Sequence, residues 1–219
     1  GANNTAVGYK ALEANTTANS NVGIGYQSLY LNTTGAKNVA VGTNALDTNT
    51  TGSNNVAIGF EALDGNTTAS QNTAVGYQAI YTNTTGVEMV AVGYEALYSN
   101  TTAHTNHAFG YRALKANTTG SSNVAVGHSA LTANTTANNN TAVGYQAAYS
   151  TTTGAFNTAF GYQTLLDNTT GYANAAFAAD AMGNNTTGFD NTALGNAAMF
   201  QNTTGSYNVA LGRAALQNN

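Results

Sequence analysis

Residues 55–71, NVAIGFEALDGNTTASQ, decide the fold, because the chain is this 17-residue unit written about thirteen times over. A fixed period this short, held from Asn4 onward, marks a solenoid in which each unit is one coil stacked on its neighbours. The glycine of VAIG sets the register: Gly8, Gly25, Gly42, Gly59, Gly76, Gly93, Gly110, Gly127, Gly144 and Gly161, then Ala178 in its place, then Gly195 and Gly212. An apolar residue precedes each, and Ala precedes that in every unit except the one holding Gly23. Thr or Val usually comes before the Ala, so the run of five is rich in β-branched side chains and predicts a strand.

The two predicted faces of that strand are unequal. One carries the Thr or Val, the apolar residue and the following aromatic; the other carries only Ala and Gly, so something must approach its backbone closely, either the opposite wall of a thin coil or another chain. Leu12, Leu29, Leu46, Leu63, Leu97, Leu114, Leu131, Leu165 and Leu216, with Ile80, Ala148, Met182 and Met199, make a second apolar column. With the Val/Ile column it is expected to form a small apolar centre in each coil, continuous along the stack. A helical-hairpin repeat of two units is excluded, since the Ala-Leu segments run only about five residues, well short of the ~12 of a marginal helix. The expected fold is all-β: a parallel β-solenoid of about thirteen coils, strand, turn, strand, turn, on the order of 60 Å long. A single domain spans 1–219, with no capping unit in view, as in a piece of a longer fibrous protein.

Asn-Thr-Thr followed by Gly or Ala marks the corner. Asn15, Asn32, Asn49, Asn66, Asn83 and Asn100 begin a column that continues to Asn202, with Thr151 the single replacement. Asn tolerates left-handed backbone, and its amide can bond along a stack. A second Asn column (Asn4, Asn21, Asn38, Asn55 and onward, interrupted by Met89) is expected at the other corner. The irregular unit is the one with Ala178, Ala179 and Asp180, where a bulge or a change of width is expected.

Only 6% of the residues are charged, and the net charge of −4 comes from nine acids and five bases scattered singly. No basic block is present to neutralise phosphates, so nucleic acid is not an expected partner. No segment reaches the ~18 consecutive apolar residues of a membrane span, so direct membrane insertion is not expected either. With no Cys there is no disulfide, thiolate zinc site or cysteine nucleophile. Asp47 and Asp64 share a column with Glu61 nearby and could hold Ca²⁺ or share a proton, but Lys115 and neutral residues fill that column elsewhere, the mark of a solvated edge. His104 and His107 lack a third ligand at a metal spacing, and His128 replaces a column Tyr. No catalytic constellation emerges and no cofactor is expected.

Eleven Asn-Thr-Thr triplets match the glycosylation pattern, but stacked coils about 5 Å apart leave no room for a glycan on each. The Thr rows beginning at Thr16 and Thr17 allow an ice-binding reading, limited because only one of two adjacent residues can face outward on a strand. Surface contact is expected from the aromatics: the residue after the glycine in eight units, and a further column containing Tyr30, Tyr81, Tyr98, Tyr149 and Phe200.

The runs Asn55-Val56-Ala57-Ile58-Gly59, Asn38-Val39-Ala40-Val41-Gly42, Asn123-Val124-Ala125-Val126-Gly127 and Asn208-Val209-Ala210-Leu211-Gly212 resemble the YadA-like head repeats of trimeric autotransporter adhesins. Similar repeats occur in phage and viral fibres. The resemblance covers essentially the whole chain and implies a left-handed β-roll, a homotrimer, and an extracellular place on a cell surface or virion fibre. It also implies attachment to a host surface, matrix or glycan. The constant 17-residue unit and the lack of a neck, stalk or anchor motif depart from that family's pattern.

Overall fold

The computed structural model describes residues 1–218. They contain strands and turns and no helix. The repeat runs through two compact units, Gly1–Asn106 and His107–Asn219. In the first, β1 (Thr5–Val7), β2 (Val22–Ile24), β3 (Val39–Val41), β4 (Val56–Ile58), β5 (Thr73–Val75) and β6 (Val90–Val92) pair in parallel, each with the next in sequence. In the second, β7 (His107–Phe109), β8 (Val124–Val126), β9 (Thr141–Val143), β10 (Thr158–Phe160), β11 (Ala175–Phe177), β12 (Thr192–Leu194) and β13 (Val209–Leu211) do the same. Val39 faces Val56, Ala40 faces Ala57 and Val41 faces Ile58, so one period separates stacked partners and the solenoid of 17-residue coils is established.

Each strand is three residues long, not five, and each coil has one strand, not two. The Ala-Leu wall is a chain of tight turns. Glu61 (φ 53°) and Leu63 (φ 53°) are left-handed on either side of Ala62, a pattern repeated down to the β-branched Ile80 (φ 51°). Left-handed backbone costs a non-glycine residue roughly 1–2 kcal/mol. Inter-coil bonds and burial offset it: Glu61 N donates to Thr43 O at 2.9 Å, Leu63 N donates to Ala79 O at 3.0 Å, and Leu63 is fully buried, which contributes about 2 kcal/mol.

The face assignment corrects the sequence reading. From β2 onward the middle residue of each strand, such as Ala40, Ala57 or Ala74, points inward and is buried, while the Val/Ile column expected in the core points out, with Ile58 40% exposed. Coil thickness is the reason. At Gly23, where Ala stands in other coils, an added Cβ would lie 3.3 Å from Leu12 Cγ and 3.2 Å from Ser28 Oγ on the facing wall. A methyl group fills that gap; a branched side chain does not fit. Of the two explanations for the Ala column, the opposite wall of the same coil is the one that holds.

Both Asn columns are buried, and they flank one loop, not opposite corners. Asn49 Nδ2 (3.0 Å) and Asn38 Nδ2 (2.8 Å) both donate to the carbonyl of Gly52. Along the stack, Asn49 Nδ2 donates to Asn32 Oδ1 at 2.8 Å and Asn66 Nδ2 to Asn49 Oδ1 at 2.9 Å; in the second column Asn55 N donates to Asn38 Oδ1 at 2.9 Å. Left-handed backbone is not what selects Asn in the triplet: the left-handed loop position is Asn54 (φ 60°) or its equivalents Lys37 and Glu88. The unit with Ala178 has no bulge. Phe160 pairs with Phe177 and Phe177 with Leu194, and Ala178 N donates to Phe160 O at 2.8 Å. Ala178 adapts instead by closing φ to 93°, against 143° at Gly161.

Thr151 leaves a visible defect in the first Asn column. Asn134 Nδ2 donates to Asn117 Oδ1 at 2.7 Å, but Asn134 Oδ1 is buried with no partner, because the next coil offers a hydroxyl in place of an amide. Restoring the amide with Thr151→Asn is expected to raise stability by about 1 kcal/mol, read as a higher denaturant midpoint at unchanged slope.

Candidate contact surface

Inward Ala forces its two strand neighbours outward, and this builds an apolar stripe on each unit, its aromatic row interrupted at Thr43 and Ala179. In the first unit the residue before the glycine contributes Val7, Ile24, Ile58 and Val92, all exposed, and the residue after it contributes Tyr9, Tyr26, Phe60, Tyr77 and Tyr94. The rings stack: Tyr9 on Tyr26 at 5.3 Å between centroids, Phe60 on Tyr77 at 5.3 Å, and Tyr77 on Tyr94 at 4.9 Å, all within 14° of parallel. In the second unit Phe109, Val126, Phe160 (52% exposed), Phe177 and Leu194 form the aliphatic and aromatic row, beside a stack of Tyr111, His128, Tyr145 and Tyr162. Exposed apolar rows that recur over many coils in this way mark a surface with a contact to make.

The column of Tyr30, Tyr81, Tyr98 and Tyr149 is less uniform. Tyr81 stacks on Tyr98 at 5.1 Å, Tyr30 carries Lys10 Nζ 5.1 Å from its centroid, and Tyr149 is exposed in a coil of its own. Sequence reading missed a third aromatic group. In the loop after the Asn-Thr-Thr triplet, Phe156 (64% exposed), Tyr172, Phe189 and Tyr207 (74% exposed) occupy two adjacent columns that hold no Phe or Tyr in the coils before Phe156. Tyr172 stacks on Phe189 at 4.7 Å, and Phe189 meets Tyr207 edge-on at 5.2 Å.

The triplet asparagines cannot carry a glycan in the folded chain, because Asn32, Asn49, Asn66, Asn83 and Asn100 have no exposed surface and their amides are engaged. The first Thr row is engaged too: Thr33 Oγ1 donates to Thr50 O at 3.0 Å, and Thr50 Oγ1 to Thr67 O at 3.0 Å. The second row, Thr34, Thr51, Thr68 and onward, is exposed throughout, whereas most of the first row is half-buried.

Asp47 and Asp64 stack as expected from their shared column, and the Thr48 hydroxyl donates to the Asp64 carbonyl. Burial, then the Asp47 carboxylate, then Glu61 push the Asp64 carboxyl up to about 6. Burial raises Asp47 as well. A carboxyl whose pKa is raised on folding imposes no penalty below its ordinary 3.8, an increasing one from there to about pH 6, and a constant one above. Discounted for partial exposure, the penalty is about 1 kcal/mol. Asp64→Asn should therefore stabilise by about that amount at pH 8 and by nothing measurable at pH 4, checked by denaturation at both.

His104 Nδ1 accepts from Val87 N at 3.1 Å, and His128 is held between Tyr111 and Tyr145. Among the described residues there is no group of three or more His, Asp or Glu that could hold a metal ion, and no enclosed cavity. What the surface offers is area: long, shallow, apolar and aromatic. No protein family matches the chain, and no curated protein or solved structure is significantly similar to it.

Proposed function

We propose that the chain is a structural and adhesive repeat module of an extracellular adhesin or fibre, of the kind found in the heads of trimeric autotransporter adhesins. It associates with two further copies of itself through the outward stripe and presents its remaining faces to a host surface, matrix or glycan. The observation that carries this reading is the row of exposed Ile24, Ile58 and Val92 beside stacked Tyr and Phe rings. Outward apolar side chains in successive coils add no core, and together they make an area of the sort that specific interfaces bury.

Native mass measured across a concentration series tests the association. A trimer is expected. Ile24→Glu, Ile58→Glu and Val92→Glu together should give a folded monomer, since these side chains point outward and lie outside the core. A wild-type monomer at every concentration overturns the trimer. The exposed second Thr row supports ice binding as the other reading, and a thermal hysteresis assay decides it. Against it stand first-row hydroxyls such as those of Thr33 and Thr50, spent on a neighbouring coil.

A further inference from the structure

The chain contains no Cys, so no disulfide can join one coil to the next. It does contain 13 Tyr, several of them stacked one coil apart. Tyr9 and Tyr26 lie 5.3 Å apart, Tyr77 and Tyr94 4.9 Å, Tyr81 and Tyr98 5.1 Å, and Tyr145 and Tyr162 5.4 Å, with interplanar angles of 14°, 7°, 15° and 10°. Three of these pairs are exposed and the fourth, Tyr81 with Tyr98, is half-buried.

We infer that these four tyrosine pairs are oxidative cross-linking sites, at which a haem peroxidase with hydrogen peroxide joins the two rings of a pair carbon to carbon and staples adjacent coils. Each phenol loses one electron and one proton, giving a phenoxyl radical with spin on the carbons ortho to oxygen. Two radicals on neighbouring rings combine in one bond between ortho carbons, and each ring then returns its ortho hydrogen to the phenol oxygen. The two electrons and two protons reduce one hydrogen peroxide to two waters, so the protein loses two hydrogen atoms per link.

Placement by the fold is what selects the partners. Stacked at about 5 Å, the rings have only to slide from face-to-face to edge-to-edge by turning about their side-chain bonds, and rings at the surface can turn. The partner's effective concentration far exceeds any attainable between molecules in dilute solution. The same geometry says where links cannot form. Tyr30 stands between Glu13 and Asp47 in its column, Tyr149 between Thr132 and Leu166, Tyr172 stacks on Phe189, and Tyr207 meets the edge of the same Phe. None of these has a second phenol one coil away in its own column.

The test is peroxidase treatment of the dilute full chain, with dityrosine fluorescence and mapping of cross-linked peptides. Intrachain links 9–26, 77–94, 81–98 and 145–162, with Tyr30, Tyr149, Tyr172 and Tyr207 left as monomers, are the expected result, and a link from Tyr94 to Tyr111, one 17-residue period further on, counts equally in its favour. The linked protein should unfold at a higher temperature than the untreated one. Tyr81→Phe should remove the 81–98 link alone; Phe200 fills the same column, so the fold tolerates the change. Absence of dityrosine, links only between molecules, or links spread over the four isolated tyrosines would overturn the inference. In the associated protein, pairs on the proposed self-association stripe should be protected while 81–98 still reacts. If the chain never associates, all four pairs react at every concentration, so the two readings fail separately.

Discussion

Gly59→Val should lower stability by at least about 3 kcal/mol. The glycine sits at φ 138°, a backbone conformation that side-chain-bearing residues avoid, and holding one there costs roughly 1–3 kcal/mol. Space is the second obstacle. A Cβ at Gly59 would stand 2.3 Å from the carbonyl oxygen of Gly76 and 2.7 Å from its carbonyl carbon, both backbone atoms that the sheet ladder holds in place. Forcing extra carbon into packed structure costs typically 1–3 kcal/mol more. Ala178 indicates how far the coil can yield: one methyl is absorbed by closing φ to 93° with strand register kept, but a branched side chain needs more room than that rotation gives. Denaturant unfolding of Gly59→Val beside Gly59→Ala checks this, with Ala expected to fall between wild type and Val.

Asn66→Ala should cost about 3 kcal/mol although the side chain it removes is polar. Asn66 Nδ2 donates to Asn49 Oδ1 at 2.9 Å and to Ala69 O at 3.0 Å, and its Oδ1 accepts from Asn83 Nδ2 at 2.9 Å. Removing it leaves Asn49 Oδ1 buried without a donor, and unsatisfied buried groups carry a penalty of about 1–3 kcal/mol in addition to the lost bonds. Ala69 O keeps Asn55 Nδ2 and Asn83 Nδ2 keeps Gly86 O, which limits the damage to one step of the ladder. Thr68→Ala, on the exposed row, should stay within about 0.5 kcal/mol of wild type, separating the ladder from general sensitivity of the loop. Hydrogen exchange at the amide of Gly86, which donates to Asn83 Oδ1, would report whether neighbouring coils loosen as well.

The period, the strand position and the amide column could be read before any coordinates, because each rests on identical residues recurring at fixed spacing. Gly59 over Gly76 and Asn49 beneath Asn66 follow from counting. The direction of the strand side chains could not be read in that way. Ile58 is the more apolar residue and invites the core, whereas Ala57 takes it because the opposing Leu and Ala leave room for only one methyl. The left-handed turns at Leu63 and Ile80 were equally hidden, since neither residue type favours that backbone and the bonds that hold it come from another coil. The loop aromatics Phe156, Tyr172, Phe189 and Tyr207 escaped notice because they depart from the consensus in only four units, and reading by consensus averages them away.

The left-handed turns bear on how the chain acquires its structure. Leu63 and Glu61 reach outside their own coil for hydrogen-bond partners, so an isolated coil holds strained backbone with little to compensate it. Order therefore has to spread from turn to already-seated turn, like a zip. Every such step joins residues the same short distance apart in sequence, a low contact order that favours rapid assembly however many turns a unit contains. A gene encoding such a chain keeps every column intact by lengthening or shortening it in whole steps of the zip, whereas a single residue added within a strand turns its inward-facing methyl to the outside.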